Sequence, residues 1–203
     1  PLINAYFLIK IFLGEDFMIY NKEQIDLYLK KMEYNDEIKI DYDTLCKLQI
    51  AHLTHIPYEN IDVLNRKPIS LESQDLFDKM IVKARGGYCF ELNGLYSNLL
   101  KSLGFNVTNL AGRFIYQDGN TRMRLHRILK IDIDDKSYIS DVGVLSELSR
   151  KSLELEVGKV QNDGKCDYKF EYNPKQEGEY ILYQRIFFRN YSSHKLRCSI
   201  IIW

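Results

Sequence analysis

The chain has few of the residues on which several common protein classes depend. It contains only four cysteines in 203 residues, with no C-x-x-C pair and no short spacing typical of a disulfide framework. This scarcity favours a reduced, cytoplasmic setting. Neither sign of charge is in excess, because 28 basic residues balance 28 acidic ones. The resulting net charge of zero gives no support to nucleic acid or an anionic membrane as the main partner.

Long apolar runs are also scarce. Residues 1–17 are mostly apolar, but Lys10, Glu15 and Asp16 interrupt them, so this stretch is too short for a membrane span, and it lacks the basic start of a secretory signal. We expect it to be an extension outside the core fold. The whole chain is 45% hydrophobic and 28% charged, which is ordinary for a globular protein with a substantial core.

Histidine is scarce as well, with four in the chain. His52 and His55 are three residues apart on a predicted helix and would share one face of it. They could hold a metal, but no cysteine or carboxylate is placed to complete the site. We therefore expect core or helix-face histidines and no metal cofactor.

The apolar pattern changes its period near the middle of the chain. Up to about residue 105 it follows helical spacing, and from residue 106 onward it follows the alternation of strands separated by turns. Asn21 and Gln24 form a capping-box pattern, and Asp43 is a candidate N-cap of a second helix. The sequence predicts an α+β fold in which a helical part, residues 18–105, and a strand part, residues 106–180, share the functional cleft.

The most informative segment is RGGYCFELNG at residues 85–94. Gly86 and Gly87 would release the backbone from ordinary conformational limits, and a helix-forming pattern begins directly after them. Cys89 is therefore expected at or near a helix N-terminus, where the helix dipole and unpaired N–H groups favour a thiolate. A thiolate is a nucleophile, and its use in catalysis needs a base and a group that orients the base.

Two predicted strands supply such a pair. His126 lies in the strand over residues 125–133 and Asp141 in the strand over residues 136–144, joined by a short link that makes an antiparallel hairpin. Opposed residues in this hairpin have numbers that sum to an odd value, so His126 and Asp141 should project from the same face. A neighbouring carboxylate fixes the histidine tautomer and stabilises the imidazolium. Each residue alone could equally be structural: a buried thiol, a core histidine and a turn aspartate.

These motifs resemble those of the arylamine N-acetyltransferase family. RGGYCFELNG is similar to its active-site motif, IPYENI at residues 56–61 to its upstream proline, aromatic and Glu-Asn motif, and SDVG at residues 140–143 to its Asp-Val-Gly segment. The resemblance covers about residues 18–175. It implies a cysteine-protease or transglutaminase-like core, made of a helical bundle and an antiparallel β-barrel-like domain. It also implies a third α/β lid domain, of which residues 181–203 would be an incomplete remnant.

The resemblance implies a role for each matching residue. Cys89 would accept the acetyl group, His126 would act as the base, and Asp141 would orient it. Five motif residues would support the site: Arg85, Gly86, Gly87, Glu91 and Asn93. An alternative for Arg85 and Glu91 is a surface ion pair of little energetic consequence.

The implied activity is ping-pong acetyl transfer in xenobiotic metabolism. Acetyl-CoA would be the donor, and an aromatic amine, a hydrazine or an N-hydroxyarylamine the acceptor, with no metal, nucleic acid or membrane involved. Phe90 and Val144 would contact the substrate. Val144 is also a departure, because the family usually continues Asp-Val-Gly with Phe-Gly.

Three alternatives remain open at this point. The chain could be an amide synthase that uses another acyl thioester, or it could use the same residues in transglutaminase-like or peptidase chemistry. It could also be a truncated, inactive homologue that only binds a partner.

Overall fold

The computed structural model describes residues 19–114, 125–144, 149–186 and 196–202, so the expected extension over residues 1–17 lies outside the described residues. Helices occupy the first half of the described chain and strands the second, which confirms the predicted α+β fold. No helix in these ranges is long and apolar enough to cross a membrane.

The helical half begins with a capping box. In chain order the elements are α1 (Lys22–Lys31), α2 (Tyr42–His55), α3 (Ile61–Leu64), α4 (Ser73–Phe77), the π-helical turn Asp78–Val82, and α5 (Cys89–Ser102). Asn21 and Gln24 exchange the predicted side-chain hydrogen bonds with each other's backbone N–H, at 2.9 and 3.1 Å. The prediction for α2 was wrong: its N-cap is Asp41, because that side chain, not the Asp43 side chain, accepts from the Thr44 N–H at 2.8 Å.

The strands form one antiparallel sheet. They are β1 (Asn106–Phe114), β2 (His126–Ile133), β3 (Lys136–Ser140), β4 (Leu153–Glu154), β5 (Val160–Asn162), β6 (Cys166–Tyr172), β7 (Tyr180–Ile186) and β8 (Leu196–Ile202), in the order β4-β3-β2-β1-β8-β7-β6-β5. No backbone ladder joins the edge strands β4 and β5 in the described chain. The Gln161 side chain instead makes hydrogen bonds of 2.8 and 2.7 Å with the Glu154 backbone. The sheet therefore curves so that the Gln161 side chain joins its two edge strands, β4 and β5.

Strand β2 lies between two hydrophobic cores. Leu129, Ile131 and Ile133 face the helices, and Ile128, on the opposite face of the strand, faces the inside of the curved sheet. This is the period-2 alternation of a strand with both faces covered. The sheet therefore brings residues of β2 within reach of α5, which packs on it.

Strands β7 and β8 lie inside the same sheet, between β6 and β1. We expected residues 181–203 to be a remnant of a lid, and the described parts of this segment, residues 181–186 and 196–202, contribute backbone to the sheet. The division of the chain into domains stays a prediction.

Candidate active site

The turn before α5 is held against the segment that follows α2. The Gly87 N–H donates to the Pro57 carbonyl at 3.3 Å, and the Glu59 N–H donates to the Gly87 carbonyl at 2.9 Å. A β-carbon would lie 2.1 Å from the Pro57 oxygen if added to Gly86, and 2.8 Å from the Glu91 β-carbon if added to Gly87. Neither glycine has a left-handed φ. Our expectation of unusual backbone angles was therefore wrong, and close packing is what requires these glycines.

Five charged side chains surround this turn. Arg85 donates to Glu59 and, at 3.1 Å, to Asp62. Lys79 Nζ lies 3.1 Å from Asp62 Oδ2 and 2.8 Å from Glu91 Oε1. Hydrogen bonding, with Lys79 as the largest cause, lowers the pKa of Asp62 to about 2. Arg85 and Glu91 are therefore not a simple surface pair, since Asp62 and Lys79, two residues that no sequence motif indicated, connect them.

Glu91 is buried and completes the start of α5. Its Oε2 accepts from the Tyr88 N–H at 3.1 Å. The first bond within the helix runs from the Leu92 N–H to the Tyr88 carbonyl at 2.9 Å. The N–H groups of Cys89, Phe90 and Glu91 come before this bond, so they have no acceptor inside the helix. The thiol thus stands at the positive end of a helix, as predicted.

Asp141 lies just after β3 rather than within it, because the strand ends at Ser140 and not at the predicted residue 144. Asp141 Oδ1 accepts from the Gly143 N–H and from Asn93 Nδ2, both at 2.8 Å. Asn93 Oδ1 accepts from the Val142 N–H at 3.0 Å. These side-chain bonds offer the backbone an alternative to the sheet ladder, so the chain turns here.

The structure brings Cys89, His126 and Asp141 together. His126 Nε2 lies 2.5 Å from Asp141 Oδ2, so the two residues face the same side as the strand parity predicted. Both are buried, and so is Cys89, which is 9% exposed and whose thiol donates to the Leu125 carbonyl at 3.6 Å. Among the described residues His126 Nδ1 has no hydrogen-bond partner. Because Nε2 is bound to the Asp141 carboxylate, Nδ1 is the ring nitrogen that is left to exchange a proton with the Cys89 thiol.

His126 is an unusually strong base in this setting. Burial by itself would lower its pKa, but the Asp141 carboxylate and then the Cys89 side chain outweigh burial and raise the pKa to about 10. The ring therefore carries a positive charge at neutral pH.

Gly143 covers the nucleophile candidate. A β-carbon at Gly143 would lie 2.7 Å from Cys89 Cα and 2.6 Å from Asn93 Nδ2. Only glycine allows the backbone to pass this close to α5. We call residues 141–144 the cover, because Gly143 among them lies directly against Cys89.

Gln49 of α2 ties together chain segments on both sides of the cover. It is 1% exposed, and its Oε1 accepts from Ser140 Oγ at 2.6 Å and from Ser152 Oγ at 2.8 Å. Its Nε2 donates to the Ser149 carbonyl at 2.9 Å. Sequence reasoning missed Gln49, since a glutamine in an apolar helix carries no local signal of partners that are 91 to 103 residues away.

Phe90 and Val144 do not give a clear pocket. Phe90 is 1% exposed and packs against Tyr88, with the two rings tilted and their centroids 5.6 Å apart. Val144 is partly exposed at the end of the cover. Their contact with a substrate stays a prediction.

His52 and His55 lie away from this site. His52 is fully buried, with its ring 6.0 Å from that of Tyr28 and 5.2 Å from that of Tyr96. The His55 ring contacts the carbonyl of Ala51. In the described ranges no three His, Cys, Asp or Glu side chains form a group that could hold a metal ion.

Comparisons with known proteins agree with the fold and the motifs. Residues 41–195 match a protein family described as N-acetyltransferase. The arylamine N-acetyltransferase of Escherichia coli K12 is 33% identical over 153 residues, which are 75% of this chain and 53% of that protein. A Salmonella typhimurium relative named arylamine N-acetyltransferase / N-hydroxyarylamine O-acetyltransferase is 38% identical over 128 residues, 63% of this chain and 46% of that protein.

Solved structures give the same result. The arylamine N-acetyltransferase of Salmonella typhimurium has a TM-score of 0.78 and 28% identity, covering 90% of this chain and 64% of that one. The Mycobacterium marinum enzyme in complex with CoA has a TM-score of 0.76 and 28% identity, covering 88% and 64%. The chain spans about half the length of the curated relatives it matches. Since the family match extends over more than half of its residues, the chain belongs to the N-acetyltransferase family that includes these arylamine N-acetyltransferases.

Proposed function

We propose that this chain catalyses acetyl transfer from acetyl-CoA to arylamines, with N-hydroxyarylamines as acceptors for O-acetylation, through an acetyl group held on Cys89. The observation that carries the proposal is the setting of His126, which is bonded through Nε2 to Asp141 and whose pKa is also raised by the neighbouring Cys89 side chain. The names of the relatives, and the CoA bound to the Mycobacterium marinum enzyme, support this donor and these acceptors.

In the first half-reaction the Cys89 thiolate attacks the thioester carbonyl carbon of acetyl-CoA. A bond forms between the acetyl carbon and Cys89 Sγ, the bond to the coenzyme sulfur breaks, and coenzyme A leaves with a proton from His126. The N–H groups at the start of α5 lack acceptors within the helix and point from its positive end. They are suited to stabilise the oxyanion of the tetrahedral intermediate.

In the second half-reaction the amine nitrogen attacks the acetyl carbon. A carbon–nitrogen bond forms, the carbon–sulfur bond breaks, and the amine proton moves to His126. Asp141 keeps the imidazole in the orientation and tautomer that accept this proton. The free thiols of Cys46, Cys89 and Cys166 suit a reducing, cytoplasmic setting for such chemistry.

The acetyl-cysteine provides the direct test. The protein is mixed with acetyl-CoA in the absence of amine, and the mass of the peptide that contains Cys89 is measured. We expect one acetyl group on Cys89, and its loss together with formation of acetylated amine when aniline is added. Absence of the adduct, or an adduct that survives in Cys89→Ala, contradicts the proposal.

The choice of donor separates this proposal from the amide synthase alternative. Single-turnover rates with acetyl-CoA are compared with those for longer acyl-CoA thioesters. We expect acetyl-CoA to react fastest, and a preference for the longer donors would favour the alternative.

A further inference from the structure

Cys89 has little room around it, and one side of this space is built from the cover. The close approach of Gly143 to Cys89 Cα leaves the cysteine 9% exposed. An acetyl group on Cys89, on which this inference rests through the proposed function, would be a thioester next to His126. Water can attack such a thioester, so the enzyme needs a way to exclude it.

Two side chains, Asn93 and Gln49, hold the cover at its start. Asn93 fixes its beginning, through bonds to Asp141 and Val142. Gln49 binds Ser140, the residue just before the cover, and also binds Ser149 and Ser152 farther along the chain.

The segment of residues 149–152, to which Gln49 also binds, is itself fixed to the sheet. The Arg150 N–H, between the two serines that bind Gln49, donates to Asp163 Oδ2 at 3.1 Å. Asp163 is 3% exposed and also accepts from the backbone of the β5–β6 turn. Residues 149–152 therefore form a rigid anchor, and Gln49 links this anchor to the start of the cover through a single buried amide.

We infer that Gln49 is a positioning residue that holds the cover closed against Cys89 and thereby protects the acetyl-cysteine from hydrolysis. If the cover opens, a water oxygen attacks the acetyl carbon, the carbon–sulfur bond breaks, and acetate leaves while the thiol is restored. Transfer to an amine and loss to water then compete for the same intermediate. Gln49 shifts this competition toward transfer, although it lies on a helix that does not carry the nucleophile.

The ratio of acetate to acetylated aniline tests this role. Both products come from the same acetyl-enzyme, so the ratio does not depend on how much of the protein is folded. In Gln49→Met we expect the ratio of acetate to acetylated aniline to rise about fivefold. The loss of one net buried hydrogen bond changes the equilibrium between the open and closed cover by about this factor. Ser152→Ala removes one of the three bonds and should raise the ratio less, which keeps the test available if Gln49→Met folds poorly.

Asn98→Leu is the matched control. Asn98 is also a buried carboxamide, but its Nδ2 contacts the Tyr20 hydroxyl, at 3.5 Å, rather than the cover or its anchor. We expect this variant to lower stability and leave the ratio unchanged. A ratio that is unchanged in both Gln49→Met and Ser152→Ala, or that rises equally in Asn98→Leu, overturns the inference.

Alkylation of Cys89 by iodoacetamide separates this inference from the proposed function, because it needs no acetyl-CoA. We expect alkylation in Gln49→Met to be about fivefold faster than in the unmodified protein, for the same opening of the cover. If Cys89 takes no acetyl group but alkylation accelerates, the proposed function fails and the role of Gln49 in covering the thiol stands. If acetylation is normal and alkylation does not change, Gln49 does not control access.

Discussion

Asn93 donates a 2.8 Å hydrogen bond to the Asp141 carboxylate and accepts one from the Val142 N–H. It also donates to the Arg127 carbonyl at 2.7 Å, so one amide on α5 joins the nucleophile's helix to the strand of His126 and to the cover. The Asp141 carboxylate thus has one oxygen held by Asn93 and the other on His126. The orientation of the base depends on this arrangement.

Asn93→Leu tests the orientation directly. The change removes one hydrogen bond from each of three buried polar groups, so we expect a loss of about 2–4 kcal/mol in the free energy of unfolding. Because the imidazole also loses its fixed carboxylate, kcat per folded enzyme should fall at least about tenfold. Urea unfolding and steady-state kinetics measure the two effects. If Asn98→Leu, on the same helix, lowers kcat equally, the orienting role is wrong.

Gly143→Ala tests the close contact between the cover and Cys89. The new methyl group would overlap Cys89 Cα and Asn93 Nδ2, so we expect loss of Cys89 acetylation together with a lower midpoint of thermal unfolding. Gly178→Ala is the control: its φ of +80° makes alanine strained, but no atom lies within 4 Å of the added carbon. It should cost about 1 kcal/mol in stability and leave acetylation intact. Normal acetylation in Gly143→Ala would contradict the described contact.

His126 should make stability fall at alkaline pH. Its pKa is raised from 6.5 to about 10, so its contribution is fully present below pH 6.5 and is lost as the pH rises through 10. The free energy of unfolding is measured from pH 6 to pH 10 in Cys89→Ala, in which the Asp141 carboxylate still raises the pKa of His126, and in the same protein with His126→Gln. We expect a decline of at most about 1.4 kcal/mol per pH unit that the second substitution removes. Parallel curves would contradict the raised pKa.

His52 should make the free energy of unfolding fall at acid pH rather than at alkaline pH. Burial lowers its pKa from 6.5 to about 3, so as the pH falls below 6.5 the unfolded chain takes up a proton that the folded protein does not. Stability should therefore decrease between pH 6.5 and pH 3. His52→Phe keeps an aromatic ring between Tyr28 and Tyr96 and should flatten this decrease. Acid unfolding followed by circular dichroism measures the difference, and identical acid limbs would rule the effect out.

Lys79→Met tests the network beside the diglycine turn. Glu91 is 3% exposed at its side chain, and Lys79 is its only ion-pair partner in the described residues. Removing the ammonium leaves a buried carboxylate uncompensated, which should cost on the order of 3 kcal/mol in the free energy of unfolding. Adding Glu91→Gln should restore part of this loss. If the double variant is as unstable as the sum of the single variants, Lys79 and Glu91 are not coupled.

The parts of the fold that follow from local pattern could be predicted. The change of period near residue 105 separated helices from strands, and the capping box at Asn21 lies where the spacing indicated. The N-cap of α2 could not be chosen in this way, because Asp41 and Asp43 are both suitable residues and only the path of the chain places one of them at the Thr44 N–H. The end of β3 at Ser140 could not be predicted from local pattern either, because it depends on the side-chain hydrogen bonds that Asp141 makes across the turn.

By itself the sequence determined the nucleophile candidate and its two partners, since a diglycine before Cys89 and the parity of two strands are local properties of the chain. Only the tertiary structure decided what surrounds them. It required Gly86 and Gly87 for close packing rather than for their backbone angles, and it connected Gln49 to serines about a hundred residues away. The physical reason is that close packing and buried hydrogen bonds join residues that are distant in the chain, and no local periodicity records those contacts.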